Sequence, residues 1–323
     1  MSLTRPNRLT FELVFADGIG SSGKGMLSHI LSCFDRVEKQ SNHTVFDFVP
    51  YIHYLGKISN DAAITYLQTE ADMQLYHIMI SRDVNFRPKD STGVLRNAKR
   101  FQYFKRLFLK EGDSVVNRIL NERPILNEAP HDALRSSSLF FKSFGDGLKI
   151  IYVIREPFEL ILDWKRRGFG SRIGVDPREF QFNLQIKENI VPMFMKEYDV
   201  NYHELTELER ILYMIHFCFR SNLNGYKSIS NDFKKNVFIT TFESLCINPR
   251  GNIDSISKFL NLSISNGVDR ILKQENLPRR FKADHAKDNE NAVVQGVREN
   301  HHWIIHELKL LYNEFLTFKS VVQ

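Results

Sequence analysis

The sequence predicts a three-layer α/β domain in which a mostly parallel sheet is flanked by helices. Three observations carry that expectation: short apolar runs of strand type, amphipathic helical stretches between them, and a glycine-rich turn joining the first run to the first helix. The strand-like runs are 10–16, 44–49, 123–127, 149–154 and 236–241. Apolar residues recur at helical spacing in 26–34, 62–80, 101–109, 158–164, 205–219, 253–260 and 303–318. Alternation of this kind implies parallel strands covered on both faces, with ligands held at their carboxyl ends.

A chain of 323 residues, 42% hydrophobic and 25% charged, can bury a core without metal or disulfide. Its net charge of +6, from 44 basic and 38 acidic residues, is too diffuse to specify nucleic acid and suits an anionic ligand. Cys33, Cys218 and Cys246 are odd in number and lack metal-type spacing, so a reducing, cytoplasmic setting is expected. No stretch has the length and apolarity of a membrane span or a secretory leader. Without repeats or a flexible linker, residues 1–323 read as one domain with helical insertions near 50–120 and 170–230.

The first strand runs into Asp17-Gly18-Ile19-Gly20-Ser21-Ser22-Gly23-Lys24-Gly25, a GxxxxGK pattern followed directly by a helix. Gly20, Ser21, Ser22, Gly23, Gly25 and Met26 are expected to turn their amides onto an anion, aided by the helix N-terminus. Lys24 is expected to reach the outermost phosphate or sulfate. Gly25 and Met26 stand where such loops usually carry the Ser or Thr that holds Mg²⁺, so no metal is expected. A plain connecting turn is the alternative.

The run at 123–127 leads through Glu128 and Ala129-Pro130 to His131, at a strand end where this architecture places its chemistry. His131 is the preferred general base and Glu128 its rival; a surface or capping role is the alternative for both. The run at 149–154 delivers Arg155, then Glu156-Pro157 and a helix. A planar guanidinium there suits a second phosphate.

The stretch KIIYVIREPFELILDW resembles the sulfotransferase family, in which an apolar strand, Arg-x-Pro and a helix bind the 3′-phosphate of phosphoadenosine phosphosulfate. Residues 241–249 (TFESLCINP) and 257–262 (SKFLNL) resemble the family's later Glu-x-Leu, Asn-Pro and Phe-Leu-x-Leu blocks. The resemblance implies a phosphate-loop fold and sulfuryl transfer from that donor to a hydroxyl of a small molecule or glycan. It casts Arg155 as a donor-binding residue, His131 as the base, and Pro278-Arg279-Arg280-Phe281-Lys282 as the basic segment that closes over the nucleotide. Two positions depart from the family pattern. Lys24 follows Gly23 instead of preceding the Ser-Gly, and Asp163, whose carboxylate would repel a phosphate, occupies the place of a phosphate-binding serine, with Lys165, Arg166 or Arg167 available to compensate or the ligand lacking a 3′-phosphate. A kinase using ATP and Mg²⁺, with Glu128 near the metal, and a non-catalytic nucleotide-binding module remain as rival readings.

Three further features receive structural readings. His302 and His306 lie four apart on a helical stretch and could pair on a metal, but their neighbours Ile304, Ile305, Leu308 and Leu311 read as core packing and no third ligand is evident. The basic, aromatic stretch 96–110 reads as a solvated amphipathic face or as a rim for an anionic acceptor. Arg82, Arg87 and Lys89 are candidates for an acceptor wall or a mobile flap.

Overall fold

The computed structural model describes residues 1–90, 92–281 and 285–320. Its strands are β1 (Glu12–Asp17), β2 (Ile125–Glu128), β3 (Leu148–Ile154), β4 (Asn183–Ile186), β5 (Asn189–Pro192) and β6 (Val237–Thr241). Its helices are α1 (Lys24–Leu31), α2 (Val45–Tyr54), α3 (Asn60–Met79), α4 (Arg100–Arg106), α5 (Asp113–Glu122), α6 (Ser137–Phe144), α7 (Pro157–Arg166) and α8 (Phe169–Arg172). They continue with α9 (Glu207–Lys227), α10 (Asn231–Lys234), α11 (Phe242–Ile247), α12 (Pro249–Leu260), α13 (Val268–Gln274), α14 (His285–Gly296) and α15 (His302–Thr317).

Strand side chains alternate between two cores. Leu13 and Phe15 of β1, Ile150 and Tyr152 of β3, and Val237 and Ile239 of β6 enter one; Val14, Ala16, Ile151, Val153 and Phe238 enter the other. Both faces are therefore apolar and each needs a helical layer. α2, α3, α6, α7, α9 and α15 supply the first, and α1, α11, α12 and α13 the second. The main sheet has the order β2-β1-β3-β6 with every pairing parallel. The predicted α/β fold is the observed one.

The expected strand at 44–49 is instead helical, as the first half of α2. The extended segment lies just before it: Glu38 N bonds Ile125 O at 2.9 Å and Ser41 N bonds Asn127 O at 3.0 Å, a parallel partner for β2. Alternating β-type residues at 44–49 suggested a strand, but burial of Phe46, Val49 and Tyr51 against the sheet decides for helix, with Phe46 5.8 Å edge-on to Phe15. The insertion near 170–230 holds α8 and the long α9, and also an antiparallel β4–β5 hairpin that periodicity did not reveal. Among the described residues no helix is long and apolar enough to cross a membrane, and Cys33, Cys218 and Cys246 are free and buried.

Candidate active site

The topology reverses at β1, which has β2 on one side and β3 on the other, so a crevice opens where the loop after β1 begins α1. Ser22 N closes onto Ile19 O at 2.9 Å and Leu27 N onto Gly23 O at 3.1 Å. The amides of Gly20, Ser21 and Gly23 to Met26 have no acceptor among the described residues. They crowd at a helix N-terminus, the arrangement that attracts an anion. Gly23 is required there. Its φ is +96°, and a Cβ would come within 2.4 Å of the Phe242 ring. Ser21 adopts a positive φ of 70° without being glycine, a local strain of about 1–2 kcal/mol. Ser22 is buried, its Oγ turned onto Gly18, while Gly25 faces open space and Met26 packs into the second core.

Lys24 is buried and donates to the carbonyl of Pro130. Burial lowers its pKa despite the neighbouring carboxylates of Asp47, Asp17 and Asp132. Burial also pushes Asp17 up to about 6, against the pull of Lys24 and of the Ala133 and Leu134 amides, with Asp132 adding to the rise. The ammonium thus supplies positive potential under the loop without lining the cleft.

Arg155 meets the loop from another side. Its guanidinium donates to Ser21 O at 2.7 Å, pairs with Glu159 at 2.8 Å and lies 4.6 Å over the Phe242 ring. Arg279, distant in sequence, lies 5.8 Å over the same ring, fixed by Glu275 O and Cys246 O. Two of the expected donor-binding arginines therefore converge beside Gly23, and the Nε of Arg155 is buried without a partner. Arg280 is exposed, and Lys282 lies outside the described residues. Asp163 hydrogen-bonds Arg166 and Arg167 at 3.0 and 2.9 Å and also Ser21; despite its partial burial these contacts lower its pKa. Arg166 and Arg167, two of the three local basic residues, pair with this carboxylate. Glu156 caps α7 and is pushed up to about 7, by burial first and then by Glu243 and Glu159, against its own backbone hydrogen bonds.

A cleft of about 350 Å³ opens on the loop's remaining side, lined by Gly20, Ser21, Asp47, His131, Arg135 and Trp164 among others. Trp164 Nε1 donates to Gly20 O at 2.9 Å and holds that wall. His131 is 52% exposed, with Nδ1 3.2 Å from Asp47 Oδ2 and its backbone N 2.6 Å from Oδ1. Burial acts against the Asp47 carboxylate, but the His131 contacts and Lys24 hold its pKa below the ordinary value. Asp47 thereby sets the tautomer, leaving His131 Nε2 as the acceptor. Glu128 does not share this cleft. It is buried and bonded to His43 Nδ1 at 2.6 Å, which explains why the rival base is out of place.

Sequence reasoning missed Asp47 and Arg135. Reading 44–49 as a helix would have placed Thr44, Asp47, Phe48 and Tyr51 on one face, and all four line the cleft. Arg135 stacks 4.8 Å from the Tyr51 ring, its Nε without a hydrogen-bond partner among the described residues and its Nη1 3.9 Å from Asp132 Oδ2, and only its place after the β2 end hinted at it. His302 donates to Val297 O at 2.9 Å, and among the described residues no group of three His, Cys, Asp or Glu is arranged to hold a metal.

No family model matches the chain, and no curated protein does. Solved structures it resembles include several sulfotransferases. The sulfotransferase domain of the curacin biosynthetic pathway is 12% identical at a TM-score of 0.46, covering 81% of this chain and 77% of that one. The sulfotransferase domain of the Synechococcus PCC 7002 olefin synthase is 11% identical at 0.44, covering 100% and 94%. A Mycobacterium avium sulfotransferase is 11% identical at 0.42, covering 98% and 78%. At such TM-scores the likeness bears no weight for chemistry, which rests on the site.

Proposed function

We propose that this chain transfers a sulfuryl group from phosphoadenosine phosphosulfate to a hydroxyl on an apolar small molecule. One observation carries the reading: the same glycine loop touches the Arg155–Arg279 pair through Ser21 O and the Phe242 ring, and borders the cleft of His131 and Asp47. A ligand gripped by the loop has cations for a distal phosphate on one flank and a base for its acceptor on the other.

The unpartnered Arg155 Nε and the free amides at the start of α1 fit an oxyanion ligand. Bound there, the donor supplies the sulfuryl group and departs as adenosine 3′,5′-bisphosphate. Arg155, on giving up Glu159, and Arg279 would hold its 3′-phosphate. His131 Nε2 accepts the acceptor's proton, and Asp47 stabilises the resulting imidazolium. The loop amides stabilise charge on the leaving phosphate, about 3 kcal/mol per well-aimed donor, and the buried Lys24 ammonium adds positive potential from beneath the loop. Phe48, Phe169, Phe180, Phe182 and Phe194 on the cleft wall favour an apolar acceptor over a glycan, whose many hydroxyls need polar partners. Gly25, in place of a metal-holding hydroxyl, weighs against phosphoryl transfer from ATP and Mg²⁺.

The test is transfer of radiolabelled sulfate from the donor to a panel of phenols and apolar alcohols. Label should reach an acceptor with the wild-type chain and not with His131→Ala. Label transferred only from γ-labelled ATP would refute the reading.

A further inference from the structure

We propose that the surface formed by α4 and the turn after it docks on an anionic lipid bilayer. Phe101 and Phe108 are 68% and 87% exposed, and Phe104, Leu107 and Leu109 beside them are exposed as well. Five large apolar side chains within nine residues leave a face that water does not favour. The opposite face explains why the helix is held rigidly with this side outward. Tyr103 donates to Glu38 at 2.7 Å, and Arg106 grips the same carboxylate at 2.7 and 2.9 Å, all three residues being buried.

Charge complements the apolar face. Between Asp90 and Glu111 the chain has six basic residues and no acidic one. Arg106 is neutralised by Glu38, and Arg96 pairs with Glu275 at 3.2 Å. Arg100, Lys105 and Lys110 have no acidic partner among the described residues, and Arg100 lies 5.0 Å over the Phe101 ring. Aromatic residues flanked by cations that keep their heads at the polar layer are the composition of an interfacial segment.

The apolar tip flanked by cations unpaired among the described residues, with no acidic residue in the stretch, favours an anionic lipid surface as the occupant. Leu107 N, Phe108 N and Leu109 N donate to Phe104 O, Lys105 O and Arg106 O, so the tip can lie at headgroup depth with its amides satisfied and its carbonyls hydrated. Insertion of the tip with its phosphate-seeking lysines gives a peripheral contact, not a span.

Co-sedimentation of the full chain with vesicles of phosphatidylcholine, with and without phosphatidylserine, tests the proposal. The chain should pellet with the anionic vesicles and be released by high salt. Lys105→Gln with Lys110→Gln should weaken partitioning about fivefold per cation removed. Phe108→Ala should weaken it about tenfold or more. These side chains are exposed, so each variant should melt with the wild type. The proposal is overturned if the wild type stays in the supernatant, or if the variants pellet equally. Self-association abolished by Phe108→Ala, without vesicle binding, would assign the face to a second copy. Binding to polyglutamate but not to vesicles would assign it to an acidic protein.

Discussion

Asp47→Asn should slow turnover more than it weakens donor binding. Asp47 accepts from His131 N at 2.6 Å and from Nδ1 at 3.2 Å, and asparagine can keep the first contact while losing the charge behind the second. A hydrogen bond to a charged group contributes about 1.5–3 kcal/mol, so the loss at the imidazolium is about ten- to a hundredfold in rate. Removing His131 altogether should cost about 10² to 10⁴. The two act as one unit, so Asp47→Asn should have little further effect in a His131→Ala background. Lys24 would also lose the first of the carboxylates that oppose its burial, which lowers its pKa further and brings the alkaline fall in rate to lower pH. Single-turnover rates at saturating donor, measured across pH for both single variants and the double, give the cycle. If the two losses multiply, or if His131→Ala turns over at the wild-type rate, the assignment of the base is wrong.

Glu159→Gln should tighten adenosine 3′,5′-bisphosphate binding, because Glu159 competes with phosphate for Arg155 at 2.8 Å; calorimetry showing weaker binding would contradict this. Glu156 is neutral below about pH 7, so bisphosphate affinity should rise as pH falls through that value and the dependence should flatten in Glu156→Gln. Gly23→Ala should cost about 2–5 kcal/mol through its positive φ and the collision with Phe242, read as a lowered Tm. For His43, burial opposes the charged form but Glu128 overrides it and raises the folded pKa. That pair's stabilisation is full below pH 6.5 and fades as pH rises through the folded value, a window that Glu128→Gln should erase in denaturation curves while sparing turnover.

Much of the fold was legible because parallel strands buried on both faces read as unbroken apolar runs. β1, β3 and β6 are such runs, and the glycine turn after β1 needs its residue types for backbone reasons. The region 36–54 was not. There the strand propensity of Val45 to Val49 competes with burial against the sheet, a tertiary effect with no local mark, and the error hid Asp47. Arg155 and Arg279 were each legible as candidate phosphate ligands, but their meeting over Phe242 depends on the path of α11 to α13. Lys24 and Arg155 were expected to face a shared anion. Both touch the loop region, yet Lys24 is sunk among carboxylates and Arg155 is held by Glu159, because a buried or half-buried cation needs a partner before any ligand arrives.

Thermal stabilisation by adenosine 3′,5′-bisphosphate, set against ATP with Mg²⁺, addresses the nucleotide grip most directly. A ligand at a hundred times its Kd adds about 2.7 kcal/mol to stability. The bisphosphate should raise Tm in the wild type, and Arg155→Ala and Arg279→Ala should each abolish the rise. A rise with ATP and Mg²⁺ alone, or one that survives loss of both arginines, would contradict it.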